Sequence, residues 1–108
     1  WFDETFFNEN AMQNLHFPSI DYKNFKKFNK KFLNTFNKQP NKVSILAYDA
    51  LGLIYYCWSN NNFEFKQNQL YNKKGFKGLH GEFFIENNLS KHKLKIYKIL
   101  EKEFVEVY

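Results

Sequence analysis

Arginine is absent from this 108-residue chain, although 16 residues are cationic and the formal net charge is +5. Every one of those cations is lysine. Guanidinium groups supply the planar forks that clamp phosphate and read guanine, so their absence weighs against a nucleic-acid partner more than the charge weighs for one. A scattered, solvating lysine surface is the expected use of the charge. The single cysteine, Cys57, excludes an internal disulfide framework. It falls in an apolar segment and reads as a small core residue. No apolar run is long enough to span a bilayer.

Catalytic and metal-binding signatures are missing too. There is no nucleophile elbow, phosphate loop or zinc-hydrolase helix. His16, His80 and His92 are far apart in sequence, with no cysteine or carboxylate at ligand spacing, so no metal and no cofactor are expected. His80, alone among glycines, reads as an exposed and inert loop histidine. Gly75, Gly78 and Gly81 lack the strand-then-helix setting of a dinucleotide loop and read as a turn feeding a strand. Asn88-Leu89-Ser90 fits the glycosylation triplet, a pattern frequent by chance. The chain by itself is expected to be non-enzymatic.

Aromatic side chains, by contrast, are abundant: 14 Phe, 7 Tyr and 2 Trp make the aromatic fraction 21%. Lysine, asparagine and isoleucine are plentiful as well. A/T-rich codons encode all of these, so codon bias accounts for much of the profile. Tyr22, Phe25, Phe28, Phe32 and Phe36 recur at three- and four-residue spacing and form one face of a helix over Tyr22–Asn37. Lysines fill its other side, Ser19 or Asp21 caps its start, and Pro40 follows its end. The aromatic stripe is expected to be core.

A second helix is expected over Val43–Ser59, capped by Asn41. It is nearly all apolar yet carries Asp49. A buried carboxylate is costly without partners, so Asp49 is expected to be a structural group bonded to nearby donors, although no companion lies close in sequence. Gly52 weakens a helix interior by about 1 kcal/mol. The expected reason is close approach of a neighbouring element.

Shorter features surround these two helices. A helical turn is expected around Asn8–Leu15, and Pro18 keeps His16–Ser19 extended as a connector. A short helix over Lys66–Asn72 closes at Gly75, and Glu82–Ile85 is a strand followed by an Asn87-Asn88 turn. Leu94–Leu100 and Phe104–Tyr108 are strands of a terminal hairpin, joined by Glu101-Lys102-Glu103. The opening Trp1-Phe2-Asp3-Glu4 has no capping pattern and reads as the interior of a longer chain.

Three of these pieces, in order, resemble one family. They are the Tyr22–Asn37 helix ending in Gln39-Pro40, the helix holding Ala47-Tyr48-Asp49-Ala50, and Phe76-Lys77-Gly78-Leu79-His80-Gly81 leading into a strand and hairpin. This run is similar to the C-terminal third of type I periplasmic binding proteins, the family of the leucine/isoleucine/valine-binding protein. The resemblance implies an α/β fold of two lobes that close on a small ligand. Residues 1–16 would then end the second lobe, 17–20 would be a hinge connector, and 21–108 would be the C-terminal part of the first lobe with the terminal hairpin. It implies a periplasmic, non-enzymatic receptor that hands a small polar solute, such as an amino acid, to a membrane permease. It further implies ligand contacts from Trp1, Asp3 or Glu4, with Phe2 beside them in the cleft. The same fold also serves lipoproteins that activate peptidoglycan synthesis, which is the alternative role. Glu101-Lys102-Glu103 departs from the glycine-containing turn common at the family's last hairpin.

Overall fold

The computed structural model describes residues 2–108. Trp1, one of the three ligand contacts implied by the resemblance, lies outside them. The described chain is mixed α/β, with two helices and two small antiparallel sheets of three strands.

The helices follow from the periodicity and its punctuation. Helix α1 spans Tyr22–Phe36, and Asp21 caps it by accepting the Asn24 N–H at 2.9 Å. It stops at Asn37, which takes the left-handed conformation (φ 52°) and donates its N–H to the Leu33 carbonyl at 2.8 Å. Asparagine tolerates that conformation better than most side chains do. Helix α2 spans Ser44–Ser59. Asn41 acts earlier than expected: its side chain accepts the Val43 N–H at 3.1 Å, shaping the turn ahead of the helix, while Val43 occupies the cap position. No helix is long and apolar enough to cross a membrane among the described residues.

The strands are β1 (His16–Ser19), β2 (Phe76–Lys77), β3 (Glu82–Glu86), β4 (Leu89–His92), β5 (Lys95–Leu100) and β6 (Glu103–Glu106). One sheet has the order β1-β5-β6 and the other β2-β3-β4. Pro18 holds β1 extended, as expected, and the segment is laddered to β5 with Phe17 opposite Tyr97. The terminal hairpin expected from the sequence is β5–β6, turned at Glu101 with φ 54°. Asn87 and Asn88, both at positive φ, turn β3 into β4. That pairing suits the tight hairpin turn whose twist matches the strands. Before β1, 3₁₀ turns at Glu4–Asn8 and Asn10–Met12 replace the single helical turn expected nearby. Asp3 accepts the Thr5 N–H, and extended backbone at Glu9 separates the two. Lys66–Asn72 likewise holds a 3₁₀ turn, Gln67–Leu70.

Phe17, Tyr97, Ile99 and Phe104 form the core, with Phe2, Phe6, Phe7, Met12 and Tyr22 packed against it. The Tyr97 hydroxyl accepts the Tyr22 N–H at 2.9 Å and ties the start of α1 to the sheet. Further along α1 the expectation of a buried stripe fails. No residue of α1 is fully buried, and Phe36 is 58% exposed. Phe28, Phe32 and Phe36 instead face Tyr48, Leu51 and Leu79 across a groove of about 640 Å³. The stripe has the right spacing, and Phe28 meets Tyr48 of α2 edge-on at 5.8 Å, but among the described residues no second layer buries it.

Gly52 also departs from expectation. A methyl group there would meet nothing within 4 Å, so no close approach explains this glycine. Gly52→Ala is expected to stabilise the chain by about 1 kcal/mol, because alanine loses less backbone entropy in a helix. Urea denaturation followed by circular dichroism checks this, and a loss of stability would refute it.

Candidate functional site

Asp49 lies midway along α2 and is buried. Its carboxylate reaches the Gly78–Gly81 turn between β2 and β3. Oδ1 accepts the Leu79 N–H at 2.8 Å, and Oδ2 accepts the His80 N–H at 2.8 Å. Asp49 is therefore, as expected, a structural carboxylate satisfied by backbone donors. Gly78 makes the approach possible. A Cβ at that position would lie 2.5 Å from Asp49 Oδ2, inside the space the oxygen occupies.

The companion that sequence proximity did not supply is His80. Its Nδ1 also bonds Asp49 Oδ2. A carboxylate oxygen accepts and an N–H donates, so Nδ1 carries the hydrogen in this contact. The histidine expected to be exposed and inert is thus buried, with only 3% of its surface accessible. Its Nε2 is 2.7 Å from His92 Nδ1 on β4, and His92 Nε2 is 3.1 Å from the Ser90 hydroxyl. The imidazoles that looked far apart in sequence are direct neighbours, with ring centroids 4.7 Å apart. Phe83 on β3 covers both rings, at 5.0 Å from His80 and 6.0 Å from His92.

A continuous hydrogen-bonded chain results, running from a buried carboxylate through two imidazoles to a surface hydroxyl. Ser90 and His92 share a strand face because side chains alternate along a strand. The sequence carried that signal as Ser-x-His. The signal is weak because all four residues of β4 are exposed, and Leu89-Ser90-Lys91-His92 lacks apolar alternation. Among the described residues, no three His, Cys, Asp or Glu side chains are grouped so as to hold a metal ion.

His92 is exposed on its strand, but its ring packs against His80 and Phe83; this partial desolvation holds the imidazole below its usual pKa of 6.5, and the adjoining His80 ring adds to the effect. His80 from the turn adjoins it, with Asp49 of α2 bonded to the far side of His80. Flanking it are two ion pairs, Lys93 with Glu82 and Lys91 with Glu86. The unfolded chain binds this proton more readily than the folded one does. The contribution of His92 is therefore fully present above pH 6.5 and is lost as pH falls from there toward the folded value. Stability is expected to decline in that window, and His92→Gln to flatten the decline. Thermal unfolding between pH 7.5 and 5 tests this, and an unaltered slope in the variant would refute it.

A second polar cluster joins α1 to the terminal hairpin. Lys95 Nζ lies 3.0 Å from both Asp21 and Glu106. Burial pushes the Asp21 carboxyl up, but the Asn24 N–H and Lys95 outweigh it, and the net direction is down. The Lys95 ammonium is pushed well up, first by Glu106 and then by Asp21.

The residues implicated by the resemblance occupy a different part of the fold. Asp3 is exposed and accepts both the Thr5 N–H (3.0 Å) and the Thr5 hydroxyl (2.8 Å). The first of these bonds is the main cause that lowers its pKa. Glu4 is exposed at the start of the first 3₁₀ turn. Phe2, considered with them, is half-buried against Tyr22, Phe25, Tyr97 and Phe104 at centroid distances of 4.5–5.4 Å. The Asp49–His80–His92–Ser90 chain draws on none of them. Comparison with family models, curated proteins and solved structures finds no match to this chain.

Proposed function

We propose that this chain is the C-terminal part of a two-lobed, type I periplasmic solute-binding protein, and that it captures a small polar solute by lobe closure and hydrogen bonds. The observation that carries this reading is the apolar flank left uncovered by the described residues. Leu51, Ile54 and Tyr55 of α2 are 69%, 51% and 63% exposed. The molecule measures 53 × 33 × 17 Å, with a radius of gyration of 16.5 Å. A self-contained domain of this length has a radius of gyration of about 13 Å. Its accessible surface is 8512 Å², against roughly 6,400 Å² for a compact monomer of the same mass. A thin layer with an apolar flank is what two helices look like without the sheet they cover.

The motif run gives the reading its family. Its second and third pieces are physically interlocked, since the carboxylate of Ala47-Tyr48-Asp49-Ala50 is the anchor for the Gly78–Gly81 turn. On this reading Asp49 has a structural role and solute contacts come chiefly from the rest of the polypeptide. Asp3 and Glu4 contribute from the end of the second lobe, Trp1 lying outside the described residues, and a membrane permease receives the solute in the periplasm. Calorimetry of the longer polypeptide against a panel of amino acids tests the proposal. Saturable one-to-one binding is the expected result. Failure to bind any small solute overturns it and favours the activator of peptidoglycan synthesis.

A further inference from the structure

We propose that Ser90 is a base-activated nucleophile able to take an acyl group from an activated ester, with His92 as its general base and His80 and Asp49 as positioning residues. This goes beyond solute binding and rests on a separate part of the molecule. Three observations carry it. First, the Ser90 hydroxyl is exposed and lies 3.1 Å from His92 Nε2, within reach for proton transfer. Second, with both imidazoles neutral the hydrogen bonds along the chain fit one tautomer arrangement. Asp49 accepts from His80 Nδ1–H, His80 Nε2 accepts from His92 Nδ1–H, and His92 Nε2 is left with a lone pair facing Ser90. A base oriented by a further group, itself anchored on a carboxylate, is the general pattern of an activated hydroxyl. Third, β4 is an edge strand. The Lys93 N–H bonds the Glu82 carbonyl of β3 at 2.8 Å. Antiparallel alternation therefore turns the N–H groups of Ser90 and His92 toward the open edge. There they can donate to an ester carbonyl oxygen as it gains charge.

The step balances. Ser90 Oγ forms a bond to the carbonyl carbon while its proton passes to His92 Nε2. The carbon–oxygen bond to the leaving alcohol breaks, and that alcohol takes the proton from His92. Water then repeats the sequence on the acyl-serine, so an ester and water give an acid and an alcohol. The depressed basicity of His92 keeps the imidazole unprotonated at neutral pH, as a base must be.

The test uses the whole chain and an alkyl fluorophosphonate, which phosphonylates activated serines with loss of fluoride. Intact mass and peptide mapping should show one adduct, on Ser90, and none in Ser90→Ala. His92 is on an exposed edge strand, so His92→Gln should remain folded, as circular dichroism will show, and it should label at least about 100-fold more slowly. Labelling of the unmodified chain should rise with pH through a single inflection below 6.5. His80→Asn should move that inflection, which a merely structural role would not do. The proposal is overturned if Ser90 does not label, if it labels no faster than Ser59, or if His92→Gln leaves the rate unchanged.

Discussion

Replacing Asp49 with alanine is expected to remove about 3–5 kcal/mol of folding stability, because the groups that donate to its carboxylate are left without an acceptor. Three donors lose their acceptor together: the Leu79 N–H, the His80 N–H and His80 Nδ1. Each buried donor left without a partner costs about 1–3 kcal/mol. Small domains hold only about 5–15 kcal/mol in total, so this one change consumes a large share. The loss is local before it is global, because the carboxylate is what fixes the Gly78–Gly81 turn against α2. Amide exchange should show Leu79 and His80 losing protection while Ile99, in the core of the other sheet, keeps it. Gly78→Ala approaches the same contact from the other side. Its methyl would push on an oxygen already held by the Leu79 and His80 donors, and overpacking of that kind costs about 1–3 kcal/mol. If Asp49→Ala changed the urea midpoint by less than the equivalent of about 1 kcal/mol, the carboxylate would not be the anchor described above.

The helices, the terminal hairpin and the structural role of Asp49 were legible because each is written in short-range spacing. Phenylalanines three and four residues apart wrote α1, and Asp21 and Pro40 bounded it. Cys57, set in an apolar helix, is buried as its surroundings demanded. The relay was not legible, for a physical reason. His80 and Asp49 are 31 residues apart, and what joins them is a turn folding back on a helix. Nothing in the local sequence encodes that closure except the missing side chain at Gly78. Strand β4 was invisible for a different reason. A fully exposed edge strand has no buried face, so it needs no apolar alternation, and its pairing is set by the Asn87-Asn88 turn. The overreading of the α1 stripe has the opposite cause. Periodicity reports that a face is apolar, and a second layer must exist before that face becomes core.

That distinction yields a prediction in which one substitution gives two answers. Leu51→Ala in the 108-residue chain removes a side chain that is 69% exposed, and such surface changes stay within about 0.5 kcal/mol. In the longer polypeptide proposed above, the same leucine would be covered by the first lobe's sheet. Deleting it there would cost about 2–5 kcal/mol through lost burial and a cavity. Ile54→Ala should behave in the same way. Ile45 is the control, since it is 1% exposed in the chain alone and its truncation should cost several kcal/mol in either setting. Denaturation curves for the three variants in both polypeptides separate the cases. A context-dependent loss at positions 51 and 54, with a constant loss at 45, shows that the rest of the protein covers this flank. Equal and negligible effects at 51 and 54 in both polypeptides would mean the flank stays uncovered, and the two-lobed reading would lose the observation that carries it.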